Sequence, residues 1–174
     1  EVNIKILLND AVQSRQLTVP ARNKLLASMT DEVARLVLFD NYRQNQAISL
    51  MERMSSKRQG SKQHFIRTLE QAGQLDRAIE FLPSDAELSQ RKARGQGMTR
   101  PELAVLLSYS KLVAFSQLLE SDIPEDPYLS RELVRYFPEP LQNKYAGFMD
   151  NHRLKREIIA TAVTNQTINR MGAT

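Results

Sequence analysis

From Leu103 to Leu119 the chain carries Leu103, Val105, Leu106, Leu107, Leu112, Val113, Phe115, Leu118 and Leu119 among few polar positions. At 3.6 residues per turn these side chains wrap most of a helix's circumference. A helix of that kind is contacted on several sides, so the rest of the chain must supply elements to surround it. Its start is marked as well. Thr99-Arg100-Pro101-Glu102 is a capping box with proline in the first turn, where the missing N–H costs nothing.

The flanking sequence supplies more helices. Thr30 before Asp31-Glu32 reads as an N-cap with two acids at the positive end of a helix dipole. Val33, Leu36, Val37, Ala47, Ile48 and Met51 then recur at three- and four-residue spacings, which predicts a long helix to about Met54. Ser84-Asp85-Ala86-Glu87 is a second capping box. A last long helix is expected from His152 to Met171, with Gly172 as its C′ residue. Shorter helices are expected over Ile4–Val12, Pro20–Ser28, Lys62–Ala72, Asp76–Leu82, Pro127–Tyr136 and Leu141–Phe148. Pro83, Pro124, Pro127, Pro138 and Pro140 mark joints. Strict two-residue alternation is missing. The expected fold is therefore all-α, a multi-helix bundle of roughly seven to nine helices with no significant sheet.

Composition narrows the function classes. The 174 residues are 41% hydrophobic and 25% charged, a globular balance that fits one domain. With no cysteine, disulfides, thiolate nucleophiles and cysteine-ligated metals are excluded. No apolar run approaches the roughly 20 residues a membrane helix needs, and no signal-peptide pattern opens the chain, so the expected location is cytoplasmic. The net charge of +4 permits an acidic partner without requiring one. Glu1 leads straight into an apolar-periodic stretch with no initiator Met, and Thr174 follows an expected helix end, so both ends read as cut from something longer.

Candidate chemistry is sparse. Arg94-Gly95-Gln96-Gly97 precedes a helix, but no strand leads into it and no Gly-Lys-Ser/Thr follows, so it reads as a loop. His64 and His152 lack a second histidine or a carboxylate one turn on, which argues against a metal site or a triad. His64 is expected on a solvated helix face and His152 in the first turn of the last helix. Asp122, Glu125 and Asp126 crowd a proline-bounded turn that gives no cleft to hold an acid–base pair. Arg53, Lys57, Arg58, Lys62 and Arg67 form one basic cluster, and His152, Arg153, Lys155 and Arg156 another. The segments 55–62 and 91–97 read as mobile basic loops. Aromatic residues are not interleaved with these charges, so nucleic acid is not expected as a partner.

Polar residues on apolar stripes are the main oddity. Thr161 and Asn165 interrupt the spacing of Leu154, Ile158 and Ile168, with Asn169 one turn beyond Asn165. Asp40 follows Val33, Leu36 and Val37, with Asn41 beside it. A buried unpaired polar group costs about 1–3 kcal/mol. Asp40, Asn41, Thr161, Asn165 and Asn169 are therefore either paired in an internal network that fixes helix register or candidate interdomain contacts.

The chain also resembles one region of the large bacterial NAD-specific glutamate dehydrogenases. The matching residues are Glu1-Val2-Asn3-Ile4-Lys5-Ile6-Leu7-Leu8-Asn9, Met29-Thr30-Asp31-Glu32-Val33-Ala34 with Asp40-Asn41-Tyr42, and Leu82-Pro83-Ser84-Asp85. Further along they are Met98 to Leu107, Ser121 to Leu129, and His152 to Thr161 with Asn165 and Asn169-Arg170. The family oxidises L-glutamate with NAD to 2-oxoglutarate and ammonium. The resemblance implies a helical C-terminal region over residues 19–174, reached through a connector at 1–18 from a catalytic domain of the same chain. The lysine, aspartate and Gly-rich loop of that chemistry do not map here, so no catalytic, cofactor-binding or metal residue is carried over. NAD is implied for the parent protein and no cofactor for this stretch, and a homo-oligomer is implied for the parent. The alternative is an independent helical module that binds protein or nucleic acid through its basic segments.

Overall fold

A computed structural model describes residues 1–173. The described residues contain helices and turns but no strand. The helices are α1 (Val2–Gln13), α2 (Val19–Ser28), α3 (Thr30–Arg53), α4 (Gln59–Gln71), α5 (Asp85–Ala93) and α6 (Arg100–Glu120). They continue with α7 (Ser130–Tyr136), α8 (Glu139–Gln142), α9 (Ala146–Asp150) and α10 (Lys155–Met171), and two short 3₁₀ turns lie between α6 and α7. The all-α expectation holds.

Several boundaries follow the expected local chemistry. Ser84 Oγ accepts from Glu87 N at 3.2 Å, and Glu102 reaches back to Thr99 N at 2.7 Å. Gly172 takes φ +82° and closes α10 with a bond to the Ile168 carbonyl at 2.8 Å. Gly95, at φ +71°, ends α5 in the same left-handed conformation. That glycine stops a helix, as the loop reading of 94–97 requires.

Other boundaries correct the sequence reading. Thr30 does not cap α3. Its hydroxyl donates back to the Ala27 carbonyl at 3.0 Å, and only Met29 separates α2 from α3. Asp76–Leu82 is one turn and not a helix. Asp76 Oδ1 accepts from the Ala78 and Ile79 amides at 2.8 and 3.2 Å, which starts the turn. Phe81 then takes φ +53° and Leu82 N bonds the Arg77 carbonyl at 2.9 Å, ending it. Pro83 keeps its neighbour out of the helical region, so the stop falls on a phenylalanine where a glycine would be usual. The expected helix Leu141–Phe148 is two short ones, α8 and α9. His152 lies ahead of α10, which begins at Lys155.

The chain divides into two compact units, residues 1–41 with 115–164, and residues 42–114 with 165–174. Helices α3, α6 and α10 contribute residues to both. In the first unit α1 buries Ile4, Leu7, Leu8 and Ala11, the spacing of one helical face. That face joins Met29, Leu133, Phe137, Leu141, Tyr145, Met149, Ile158 and Ile159. The second core gathers Ala47 and Met51 of α3, Ile66 and Leu69 of α4, Leu88 of α5, and Leu103, Leu106 and Leu107 of α6, with Leu75, Leu82, Met98 and Ala173.

Helix α6 corrects another expectation. Only Leu103, Leu106, Leu107 and Ser110 are buried, a single stripe in its first half, and Leu112 is exposed. By length and composition α6 could cross a membrane, with mean hydropathy 1.3 over an 18-residue window that is 28% buried. That corrects the expectation that no apolar run approaches the length of a membrane helix.

Candidate functional site

The described residues contain no group of three or more His, Asp or Glu side chains able to hold a metal ion. Their notable polar chemistry is instead inside the second unit, where the supposed basic loops proved to be built structure. Ser55, just past α3, is buried; its Oγ accepts from Met98 N at 2.7 Å and faces the Met98 carbonyl at 3.4 Å. Gly97 is what permits this approach. A Cβ there would stand 2.4 Å from Ser55 Oγ and 2.8 Å from its backbone carbon.

Gln59 and Lys62 belong to α4 and are 0% and 2% exposed. Gln59 Nε2 donates to the Leu88 carbonyl, while its Oε1 has no partner. The Lys62 ammonium reaches the Arg58 carbonyl only at 3.4 Å. The missed signal was in plain view. Positions 59, 62, 66 and 69 lie on one helical face, so Gln59 and Lys62 extend the Ile66–Leu69 stripe.

Arginines tie the same unit together. Arg77 grips Glu70 with two bonds, 3.0 and 2.7 Å, and reaches the Pro83 carbonyl at 3.0 Å and Asp85 at 3.1 Å. It thereby joins the end of α4 to the start of α5. Hydrogen bonds from Arg67 and then Arg77 hold the Asp85 carboxyl below its ordinary range. Arg91 bonds Glu102 at 2.9 Å and Glu87 at 2.6 Å, and Arg100 bonds Ser49 and Glu52 at 3.0 and 2.8 Å.

Arg77→Met should cost about 1–2 kcal/mol, because a forked, partly buried guanidinium leaves three acceptors behind. A depressed carboxylate stabilises the fold above its unfolded pKa, and that contribution fades as pH falls through the folded value. The wild-type advantage in urea midpoint should therefore be present at pH 7 and shrink toward pH 3.

In the first unit His152 is 3% exposed. Its Nδ1 accepts from Leu154 N at 3.1 Å, so Nε2 carries the proton that it donates to the Asn3 carbonyl, also at 3.1 Å. Its ring lies 5.8 Å from that of Phe137. Arg156 donates to the Leu119 and Ser121 carbonyls at 2.8 and 3.1 Å and pairs with Glu125. Neither residue belongs to a free basic patch. His64 is exposed on α4, as expected.

The five polar candidates divide. Asp40 and Asn41 are exposed on α3, off the buried face. Thr161 and Asn165 are half-buried on α10, whose buried residues are Ile158, Ile159, Ala160 and Thr164. The buried polar position on that helix is thus Thr164, whose hydroxyl has no partner. Asn169 Oδ1 is buried without a partner and lines a cavity in the second unit. In the first unit α3 exposes Val37 and Leu38, and in the second it exposes Tyr42 and Leu50.

Partly buried guanidinium forks, a buried imidazole and a serine–glycine crossing tie together the helices of an all-α segment. Comparison with known proteins shows what the segment is similar to. Residues 95–174 match the model for the C-terminal part of glutamate dehydrogenase, and residues 1–51 match that for the catalytic domain of bacterial NAD-glutamate dehydrogenase. The chain is 53% identical over 99% of its length to an NAD-specific glutamate dehydrogenase of Halomonas elongata. It is 50% identical to one of Pseudomonas aeruginosa and 35% to one of Mycobacterium tuberculosis, each over all of its length. Over nearly its whole length the sequence is thus similar to bacterial NAD-specific glutamate dehydrogenases, and it spans about 11% of the length of these relatives.

Proposed function

We propose that this chain is a non-catalytic helical part of an NAD-dependent glutamate dehydrogenase, a cytoplasmic enzyme that oxidises L-glutamate to 2-oxoglutarate and ammonium. Its role is to buttress the catalytic domain or the assembly of subunits. NAD and the reacting carbon belong to the preceding part of the polypeptide.

One observation carries the reading. The match to the catalytic-domain model runs to residue 51, nearly the end of α3, and the match to the C-terminal model begins at residue 95. Helices α1 to α3 fall almost wholly within the first match, and in this chain α3 leaves Leu38 68% exposed, with Val37 also open. Apolar residues at such exposure on a long helix fit a surface that other chain covers. Asp40 and Asn41 lie on the same helix and supply its polar rim. Thr161 and Asn165, half-buried on α10, are secondary candidates for contact with the parent protein.

The test uses a full-length dehydrogenase carrying this stretch. Leu38→Asp and Asp40→Ala should lower kcat or shift the oligomer to smaller species. Either change should alter the stability of the 174-residue chain by no more than about 0.5 kcal/mol, since exposed positions contribute little. Unchanged activity and unchanged size by light scattering would remove the proposal.

A further inference from the structure

The second unit holds a cavity of about 220 Å³ lined by α3, α10 and the start of α4. Its walls are apolar, with Ala47, Leu50, Met51, Met54 and Met171. Its polar lining is Arg58, Lys62, Asn169 and Arg170, and no carboxylate lines it. Among the described residues none of the three cations pairs with a carboxylate. A buried ammonium is costly unless it meets an anion. Burial, and then the charge of Arg58, hold the Lys62 ammonium below its usual range. Asn169 contributes a buried amide oxygen with no partner, and turning the amide over puts its NH2 group, a donor, at that position.

We propose that this cavity binds a small aliphatic carboxylate, with its oxygens on Lys62, Asn169 and Arg58 and its carbon chain against the methionines. Lys62 and Arg58 then gain an anionic partner, and the turned Asn169 amide donates to the same carboxylate. The apolar wall distinguishes the ligand from inorganic anions, and the volume limits it to something of about amino-acid size. Nothing in this inference depends on the dehydrogenase reading.

The probe is butyrate, with butyramide as a neutral molecule of the same shape. The readout is the methyl resonances of the six methionines in the 174-residue chain. Met51, Met54 and Met171 line the cavity, whereas Met29, Met98 and Met149 do not, and those three report on the fold. Butyrate should shift the first three saturably and leave the others in place, and butyramide should do at least tenfold less. Lys62→Leu should weaken binding at least tenfold. Arg58→Ala, at an exposed position, should weaken it severalfold with the fold signals unchanged, which guards against a misfolded Lys62 variant. Equal response to butyramide, retention of binding in both variants, or no response at all would overturn the proposal. In the last case the buried Lys62 would await a side-chain carboxylate from elsewhere in the parent polypeptide.

Discussion

Gly97→Ala should destabilise the chain by about 3 kcal/mol, a large loss for one added methyl. The new carbon would stand 2.5 Å from Ser55 Cβ and 2.8 Å from the Ser55 backbone carbon. Rotating the serine away does not relieve the backbone contact. It would also break the 2.7 Å bond from Met98 N to Ser55 Oγ, leaving a buried amide unpaired. Overpacking costs about 1–3 kcal/mol and an orphaned buried donor adds about 1–3 more. Gly60, beside which nothing lies within 4 Å, serves as the control. Gly60→Ala, within α4, should be neutral or slightly stabilising, because alanine is the better helix former by about 1 kcal/mol. Urea unfolding of both variants checks the pair. Equal midpoints would mean that the Ser55–Gly97 crossing does not constrain the second unit.

His152→Ala should cost about 3 kcal/mol in the first unit. The imidazole is buried between the start of α1 and the start of α10, with one nitrogen on each backbone. Truncation leaves the Asn3 carbonyl and the Leu154 amide without partners and opens a cavity beside Phe137. His152→Gln retains an acceptor and a donor on a flexible stem and should recover about half of the loss. Thermal unfolding orders the three proteins. A glutamine variant no better than alanine would assign the effect to ring packing alone.

These positions also show what the amino-acid order made legible. Helix identity was plain wherever apolar residues kept three- and four-residue spacing. Local stops and starts that depend on neighbours in sequence were plain too, as at Ser84, Glu102 and Gly172. The failures share a cause. Ser55, Gln59, Lys62 and His152 are polar residues whose burial is decided by distant segments, 43 residues away for Ser55 and 149 for His152. Composition labelled them as loop and surface. Gln59 and Lys62 were still recoverable, because the argument applied to Asp40 and Asn165 fits them better. Asp40 failed as a buried position because α3 presents its apolar residues on more than one side, and periodicity alone does not say which side is covered. Phe81 in the turn after α4 could not be foreseen, since no local rule places an 88% exposed phenylalanine at φ +53°.

The central claim is that these helices support chemistry housed elsewhere on the same polypeptide. Its most direct test is complementation in vitro. A relative's dehydrogenase truncated before the stretch equivalent to this chain is assayed for glutamate-dependent NADH formation, alone and with the 174-residue chain added. The account predicts little activity from either piece and a saturable rise when they are mixed. Full activity of the truncated enzyme, or NADH formation by the helical chain on its own, would contradict it.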